Sequence, residues 1–139
     1  MCGIIGISSN KSVSSSIVNS LKKLEYRGYD SAGIATLSEG FINEVKSEGR
    51  VNNLEKNSLV QSMEGTIGIG HVRWATHGLP NSINAHPHSS QNVSVVHNGI
   101  IENSTLLKKF LLIKGHKFKS QTDTAVSYTH LTLPTIYSV

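Results

Sequence analysis

Residues 1–8 read MCGIIGIS, a cysteine followed by a short run of glycine and isoleucine. A short apolar run of this kind is typical of a buried strand. After it, apolar side chains recur at helical spacing at Val13, Ile17, Val18, Leu21 and Leu24. The opening of the chain therefore predicts a strand over residues 3–8 and then an amphipathic helix that ends at Arg27-Gly28.

Strands and helices continue to alternate along the rest of the chain. Strands are predicted for residues 32–38, 41–46, 66–74 and 93–96, and helices for residues 51–61 and 106–113. No internal repeat is visible. Blocks of both element types without repetition favour an α+β sandwich over a helical bundle.

Composition excludes several classes of protein. The single cysteine rules out an internal disulfide and a multi-cysteine zinc site, and it fits a reducing cytoplasm. The formal charge of +4 comes from scattered lysines without interleaved aromatic residues, so we expect no nucleic-acid partner. Neither a secretory leader nor an apolar stretch long enough to cross a membrane is visible.

Cys2 is the first candidate for chemistry. Methionine aminopeptidases remove Met1 when the next side chain is small, which would leave a thiol and an α-amino group on one residue. That amine, with a pKa of about 8, can accept the thiol proton. The alternative is a cysteine that occupies the second position without a role.

Arg73 ends a predicted strand and opens a long polar loop, residues 75–91, and loops of this length often carry function. An arginine in this place can bind a carboxylate in bidentate fashion, and the Thr76 hydroxyl could complete the cradle. Trp74 could cover the site and exclude water. The alternative is a surface arginine beside a packed tryptophan.

Asn98-Gly99 and Asp123 are candidates for two further tasks. A side-chain amide beside a glycine N–H can stabilise an oxyanion, although Asn-Gly is also typical of a tight hairpin turn. The Asp123 carboxylate could hold a substrate ammonium group. It is equally suited to capping the start of a helix, and the two roles are compatible.

His86 and His88 flank Pro87 and support a different hypothesis, a metal site. No carboxylate lies at a useful spacing from this pair, so the hypothesis is the weaker one. The residues favour no metal and no cofactor. Histidines in loops more often form hydrogen bonds within the protein.

Five strings together resemble one family. They are CGIIG at residues 2–6, LEYRGYDSAG at 24–33, HVRWATHG at 71–78, NAHPH at 84–88 and VHNGIIEN at 96–103. In this order they are similar to the N-terminal-nucleophile glutamine amidotransferases. The resemblance is most specific to the branch that transfers the ammonia to fructose 6-phosphate, and it runs from residue 1 to about residue 124.

The resemblance implies a four-layer αββα sandwich and a role for each matching residue. Cys2 would attack the side-chain amide of glutamine, and Asn98 with the Gly99 N–H would stabilise the oxyanion. The α-carboxylate of glutamine would be held by Arg73, Thr76 and His77, and its α-ammonium group by Asp123. Trp74 would lie on the loop that closes over glutamine. Arg27 would order the site near Cys2.

Two departures from the family pattern limit these expectations. The sandwich is incomplete, and the sugar-phosphate module that would use fructose 6-phosphate is absent, so a catalytically silent fragment with a binding or regulatory role is the alternative. Residues 125–139 lack Asp, Glu, Lys and Arg and do not fit the family. We interpret residues 1–124 as a partial domain and 125–139 as a tail of artefactual origin. A truncated sandwich should expose sheet edges and apolar faces.

Overall fold

The computed structural model describes residues 1–75, 78–90 and 92–127. Its strands are β1 (Gly3–Ser8), β2 (Ser31–Ser38), β3 (Phe41–Glu48), β4 (Ile67–Arg73), β5 (His88–Ser89) and β6 (Ser94–Val95). Its helices are α1 (Ser14–Leu24), α2 (Val51–Glu55), α3 (Ser58–Gln61) and α4 (Ser104–Ile113), with a 3₁₀ turn over Glu25–Arg27. No helix within these ranges is long and apolar enough to cross a membrane.

The main sheet is antiparallel, with the strand order β1-β4-β2-β3, and β5 and β6 form a separate pair. Strand β4 lies between β1 and β2, so that Val72 faces Gly3 on one side and Ala32 on the other. This register brings Cys2, just before β1, next to Arg73 at the end of β4. The sheet thereby joins two segments that lie about seventy residues apart in sequence.

The core fills the space between helices α1–α3 and one face of this sheet. Helix α1 contributes its fully buried side chains, Ile17 and Leu21, as the helical spacing predicts. The cluster consists of Val13, Ile17, Val18, Leu21, Ala32, Ile34, Val45, Val51, Leu54, Val60, Met63 and Val72. Because successive side chains of a strand point to opposite faces, only alternate residues of β1 and β4 reach this core.

The opposite face of the sheet is only partly covered. The segment around Pro87 lies against it, where the Lys46 ammonium donates to the Pro87 carbonyl over 2.8 Å. Away from this segment Ile4, Leu37 and Ile67 remain exposed, and Ile4 retains 39% of its accessible surface. The prediction that residues 3–8 form a buried strand is therefore right for one face of β1 and wrong for the other.

Two local predictions are corrected. The helix expected over residues 51–61 is broken because Asn57 adopts an extended backbone and its side chain accepts the Leu59 N–H, which starts α3 anew. Asn98-Gly99 is not a hairpin turn, since neither residue has a positive φ. The chain instead runs irregularly from β6 to α4.

The described part of the tail packs into the protein. Ala125 and Val126 are buried, and their N–H groups donate to the carbonyls of Thr122 and Asp123. Packing thus extends two residues past the expected domain boundary at 124. Residues 128–139, which make up most of the expected tail, lie outside the described ranges.

Gly33 allows the Pro87 segment to approach the sheet. A Cβ at Gly33 would lie 2.3 Å from the His86 carbonyl oxygen, too close for either backbone to stay in place. We expect Gly33→Ala to lower the free energy of unfolding by about 3 kcal/mol, measured by urea denaturation. Gly6→Ala is the matched control, because the nearest atom to its added Cβ is 4.0 Å away. Equal stability of the two variants would contradict this packing.

Candidate active site

Cys2 is held from three directions. The Trp74 N–H donates to its Sγ over 3.2 Å, which pairs the thiol with the backbone after β4. Its carbonyl oxygen accepts the Arg27 Nε–H over 3.0 Å and the Asn98 side-chain amide over 2.7 Å. Arg27 and Asn98, which the sequence placed near Cys2, therefore both contact it. These bonds orient the residue while its thiol remains partly exposed.

A small cavity of about 40 Å³ opens beside Cys2. Its lining consists of Cys2, Arg73, Trp74, His86, His97, Gly99, Thr122, Asp123 and Thr124. Five of these nine residues are site residues expected from the sequence. The other four, two histidines and two threonines, were not assigned to the site by sequence reasoning.

Arg73 supplies positive charge at the cavity. Only 3% of the residue is exposed, and its guanidinium donates to the Leu79 carbonyl over 3.0 Å and to the Gly78 carbonyl over 3.4 Å. Burial lowers the pKa of Arg73, while the nearby Cys2 side chain and the carboxylates of Asp30 and Asp123 oppose that shift. An arginine in this setting stays protonated, so the cavity carries a cation next to the thiol.

Asp123 is hydrogen-bonded on both oxygens. One oxygen accepts the Ile101 N–H over 2.7 Å and the other accepts the Thr124 N–H over 3.0 Å. The carboxylate thus connects the segment after Asn98-Gly99 to the short helical turn at residues 125–127. A carboxylate can accept about four hydrogen bonds, so this structural role is compatible with binding an ammonium group.

Trp74 lies at the rim of the cavity with 44% of its surface exposed. Its ring packs edge-on against Tyr29, with the centroids 5.6 Å apart. The Ala75 N–H donates to Asp30 over 2.8 Å, which ties down the backbone directly after Trp74. Thr76 and His77, the other two expected carboxylate ligands, lie outside the described residues.

Three histidine rings pack side by side at the cavity, which His86 lines, and we call them the histidine stack. The His71 and His86 rings lie 4.4 Å apart and the His86 and His88 rings 4.5 Å apart. His88 bonds the Thr122 hydroxyl over 2.9 Å. In the described ranges no three His, Cys, Asp or Glu side chains are arranged to hold a metal ion. His86 and His88 instead pack against each other and against threonine hydroxyls.

Burial determines the charge state of this histidine stack. It lowers the pKa of His71 to about 4 and that of His88 to about 3, and it lowers the pKa of His86 further still. The positive charge of Arg73 lowers all three as well. All three rings are therefore neutral at pH 7.

We expect the chain to lose stability as the pH falls from 6.5 towards 4. In this window the unfolded chain takes up a proton on each of the three rings and the folded chain does not, so acid favours unfolding. Each histidine contributes about 1.4 kcal/mol per pH unit to the slope. Urea denaturation at intervals across this pH range measures it.

A pair of glutamine variants tests the origin of this slope. His88→Gln removes one ring of the stack and should make the pH dependence shallower. His116→Gln removes a histidine outside the stack and should leave the slope as it is. If His88→Gln retained the full slope, the stack would not be its source.

Comparison with known proteins places this geometry in a family, although no protein-family model matches the chain. Curated relatives named glutamine–fructose-6-phosphate aminotransferase (isomerizing) are 55% identical over 126 residues in Mesorhizobium japonicum and 57% identical over 128 residues in Clostridium acetobutylicum. Each match covers 91% of this chain and 21% of the relative. The chain thus spans about a fifth of the length of these relatives, and it matches their N-terminal part.

Solved structures agree with the sequence comparison. Glutamine phosphoribosylpyrophosphate amidotransferase from B. subtilis, solved with ADP and GMP, superposes with a TM-score of 0.79 at 28% identity. It covers 93% of this chain and 28% of its own. A structure described as the allosteric regulatory enzyme of purine biosynthesis gives the same TM-score at 30% identity, covering 91% of this chain and 28% of its own. The chain is therefore a homologue of the N-terminal part of the glutamine–fructose-6-phosphate aminotransferases, and it belongs to the N-terminal-nucleophile glutamine amidotransferases.

Proposed function

We propose that this chain hydrolyses the side-chain amide of glutamine to glutamate and ammonia, with Cys2 as the nucleophile. The observation that carries the proposal is the convergence of Cys2, Arg73, Trp74, Gly99 and Asp123 on one cavity. The thiol, the buried cation and the carboxylate of this small site match the side-chain amide, the α-carboxylate and the α-ammonium group of glutamine, respectively. No single part of the sequence contains this arrangement.

Removal of Met1 is the first requirement of the mechanism. The α-amino group of Cys2 then becomes the base that takes the thiol proton, and the sulfur attacks the amide carbon. The amide nitrogen leaves as ammonia after it receives that proton, and a glutamyl thioester remains on Cys2. Water then cleaves the thioester, which releases glutamate and restores the thiol.

The oxyanion formed in each attack needs hydrogen-bond donors. The Asn98 side-chain amide donates one N–H to the Cys2 carbonyl over 2.7 Å, and the amide carries a second N–H. Gly99, the next residue in the sequence, lines the cavity. We assign the second Asn98 N–H and the Gly99 N–H to the oxyanion.

The charges at the cavity orient the amino acid. Arg73, with Thr76 and His77, would bind the α-carboxylate, and Asp123 would bind the α-ammonium group. Arg73 and Asp123 line the same cavity, which supports their binding the two charged groups on the α-carbon of one amino acid. Trp74, half exposed at the rim, would cover the bound substrate.

The relatives support a proposal for the use of the ammonia. Their name couples glutamine to fructose 6-phosphate, and this chain corresponds to a fifth of their length. We propose that the ammonia is used to aminate fructose 6-phosphate by a part of the enzyme that this chain does not contain. We place the reaction in the cytoplasm. The competing proposal is a silent fragment that keeps the fold without turnover.

Assays of the purified chain distinguish the two proposals. We expect glutamate and ammonia to appear in equal amounts from glutamine, and no products from asparagine, whose shorter side chain cannot reach Cys2 while its α-groups are held. Circular dichroism and a cooperative urea transition would establish that the sample is folded. A folded sample that forms no glutamate would favour the silent fragment.

A further inference from the structure

The Thr124 side chain lies where three segments of the cavity wall meet. It is 1% exposed, and its hydroxyl oxygen lies 3.0 Å from His86 Nε2 and 3.2 Å from His97 Nδ1. Its backbone N–H donates to Asp123. One small residue thus connects the Pro87 segment, the segment of residues 97–99 that we call the oxyanion loop, and the expected ammonium ligand.

The direction of the two hydrogen bonds follows from His86. This ring is neutral, because burial lowers its pKa, and it carries one proton. Its Nδ1 is buried and has no hydrogen-bond partner among the described residues. A buried N–H without an acceptor is rarer than a buried acceptor without a donor. The proton therefore belongs on Nε2, where it is donated to Thr124.

The Thr124 hydroxyl proton is then free to be donated in the other direction. A hydroxyl has one proton and two lone pairs, and His86 occupies one lone pair. The proton can go to His97 Nδ1, which leaves the His97 ring proton on Nε2. That edge of the ring lies against Gly99, since a Cβ on Gly99 would be 2.8 Å from His97 Nε2.

We propose that Thr124 is a positioning residue for the oxyanion loop. Its hydroxyl donates a hydrogen bond to His97 Nδ1 and thereby holds the His97 ring against Gly99. The inference rests on the proposed glutamine hydrolysis for its catalytic consequence. The hydrogen-bond chain from His86 through Thr124 to His97 fixes the ring, and the ring in turn supports the Gly99 backbone. Thr124 itself does not touch the reacting atoms.

NMR spectra that correlate ¹H and ¹⁵N in the imidazole rings, recorded on the chain labelled with ¹⁵N-histidine, test the hydrogen bonds of His86 and His97 without any turnover. We expect the wild-type chain to show both His86 and His97 with the proton on Nε2. Thr124→Val keeps the shape and removes the hydroxyl, so the His97 Nδ1 resonance should shift to that of an unbonded nitrogen. Thr124→Ser restores the hydroxyl and should restore the wild-type resonance.

Kinetics of the same variants test the consequence for the reaction. Thr124→Val should lower kcat for glutamine about tenfold with little change in KM, because only the oxyanion donors are displaced. Thr124→Ser should recover most of that loss. The control is Thr36→Val, which removes another buried hydroxyl, one that donates to the Glu64 carbonyl over 2.6 Å. It should change neither the spectra nor kcat.

Several outcomes would overturn the proposal. One is a wild-type His97 ring with its proton on Nδ1, a result that needs no variant to fold. Another is a Thr124→Val chain that loses the His97 hydrogen bond and keeps full kcat. If the wild-type chain does not hydrolyse glutamine, the proposed function fails, and the spectra still decide whether Thr124 holds His97.

Discussion

Replacing Cys2 by alanine is expected to reduce glutamate release from glutamine by at least about four orders of magnitude. The thiol is the group that forms and breaks the covalent bond, and removing the nucleophile of such a site costs a factor on the order of 10⁶ in comparable enzymes. Alanine is also small enough for Met1 to be removed, so the α-amino group survives. The assay is glutamate formation over hours at high protein concentration.

The serine variant is the matched comparison for Cys2→Ala. Cys2→Ser keeps a nucleophile of similar size, but its hydroxyl is far less acidic than a thiol, so we expect slow residual turnover. Both variants should unfold at the same urea concentration as the wild type, because Cys2 is partly exposed. Unchanged glutamate release by Cys2→Ala would assign the reaction to another residue or to a contaminant.

Replacing Asn98 by alanine should lower kcat by a factor of about 10²–10³, with a much smaller effect on KM. Loss of one oxyanion donor removes about 3–4 kcal/mol of transition-state stabilisation. The variant also removes the 2.7 Å bond to the Cys2 carbonyl, which adds to the loss by freeing the nucleophile. Steady-state kinetics with glutamine measure both parameters.

Asn53 offers a control for this substitution. Its side-chain amide also donates to a backbone carbonyl, that of Glu48 over 3.0 Å, but Asn53 is an exposed residue of helix α2. Asn53→Ala should retain wild-type kcat. If Asn98→Ala raised KM and left kcat unchanged, Asn98 would bind the ground state of glutamine rather than the oxyanion.

Local structure was the part of the fold most accessible to sequence reasoning. The helical spacing of Ile17 and Leu21 identifies α1, and the strands predicted over residues 32–38 and 41–46 identify β2 and β3, because these patterns depend on neighbours in sequence. Exposed apolar faces were expected of a truncated sandwich, but the sequence did not identify β1 as the strand that has one. Its apolar Ile4 reads as core, and only the tertiary structure shows that little covers it.

The site is harder to predict from the sequence, because it is created when distant strands pair in the folded protein. Cys2 and Arg73 are adjacent because β1 pairs with β4, and no spacing rule connects residues so far apart. The resemblance assigned Cys2, Arg27 and Asn98 to one expected site, and in the structure Arg27 and Asn98 both donate to the Cys2 carbonyl. It did not reveal Thr124, whose hydroxyl looks unremarkable in sequence and acquires two histidine partners only through folding.

Corrections came from side chains that compete with the backbone. Asn57 divides a predicted helix because its side chain caps the second half. Asn98 looks like a hairpin residue, yet its amide is bound to Cys2 and its backbone stays outside the left-handed region. In both cases an asparagine amide finds a partner that residue preference alone does not identify.

The central claim is that Cys2 forms a covalent glutamyl intermediate, and acid quenching during turnover tests it most directly. Intact-mass spectrometry of the quenched chain should show Met1 removed and a fraction of molecules carrying one glutamyl group. Peptide mapping should place that group on Cys2, and Cys2→Ala should show none. Glutamate release by a chain that retains Met1, or a glutamyl group on any other residue, would contradict the account.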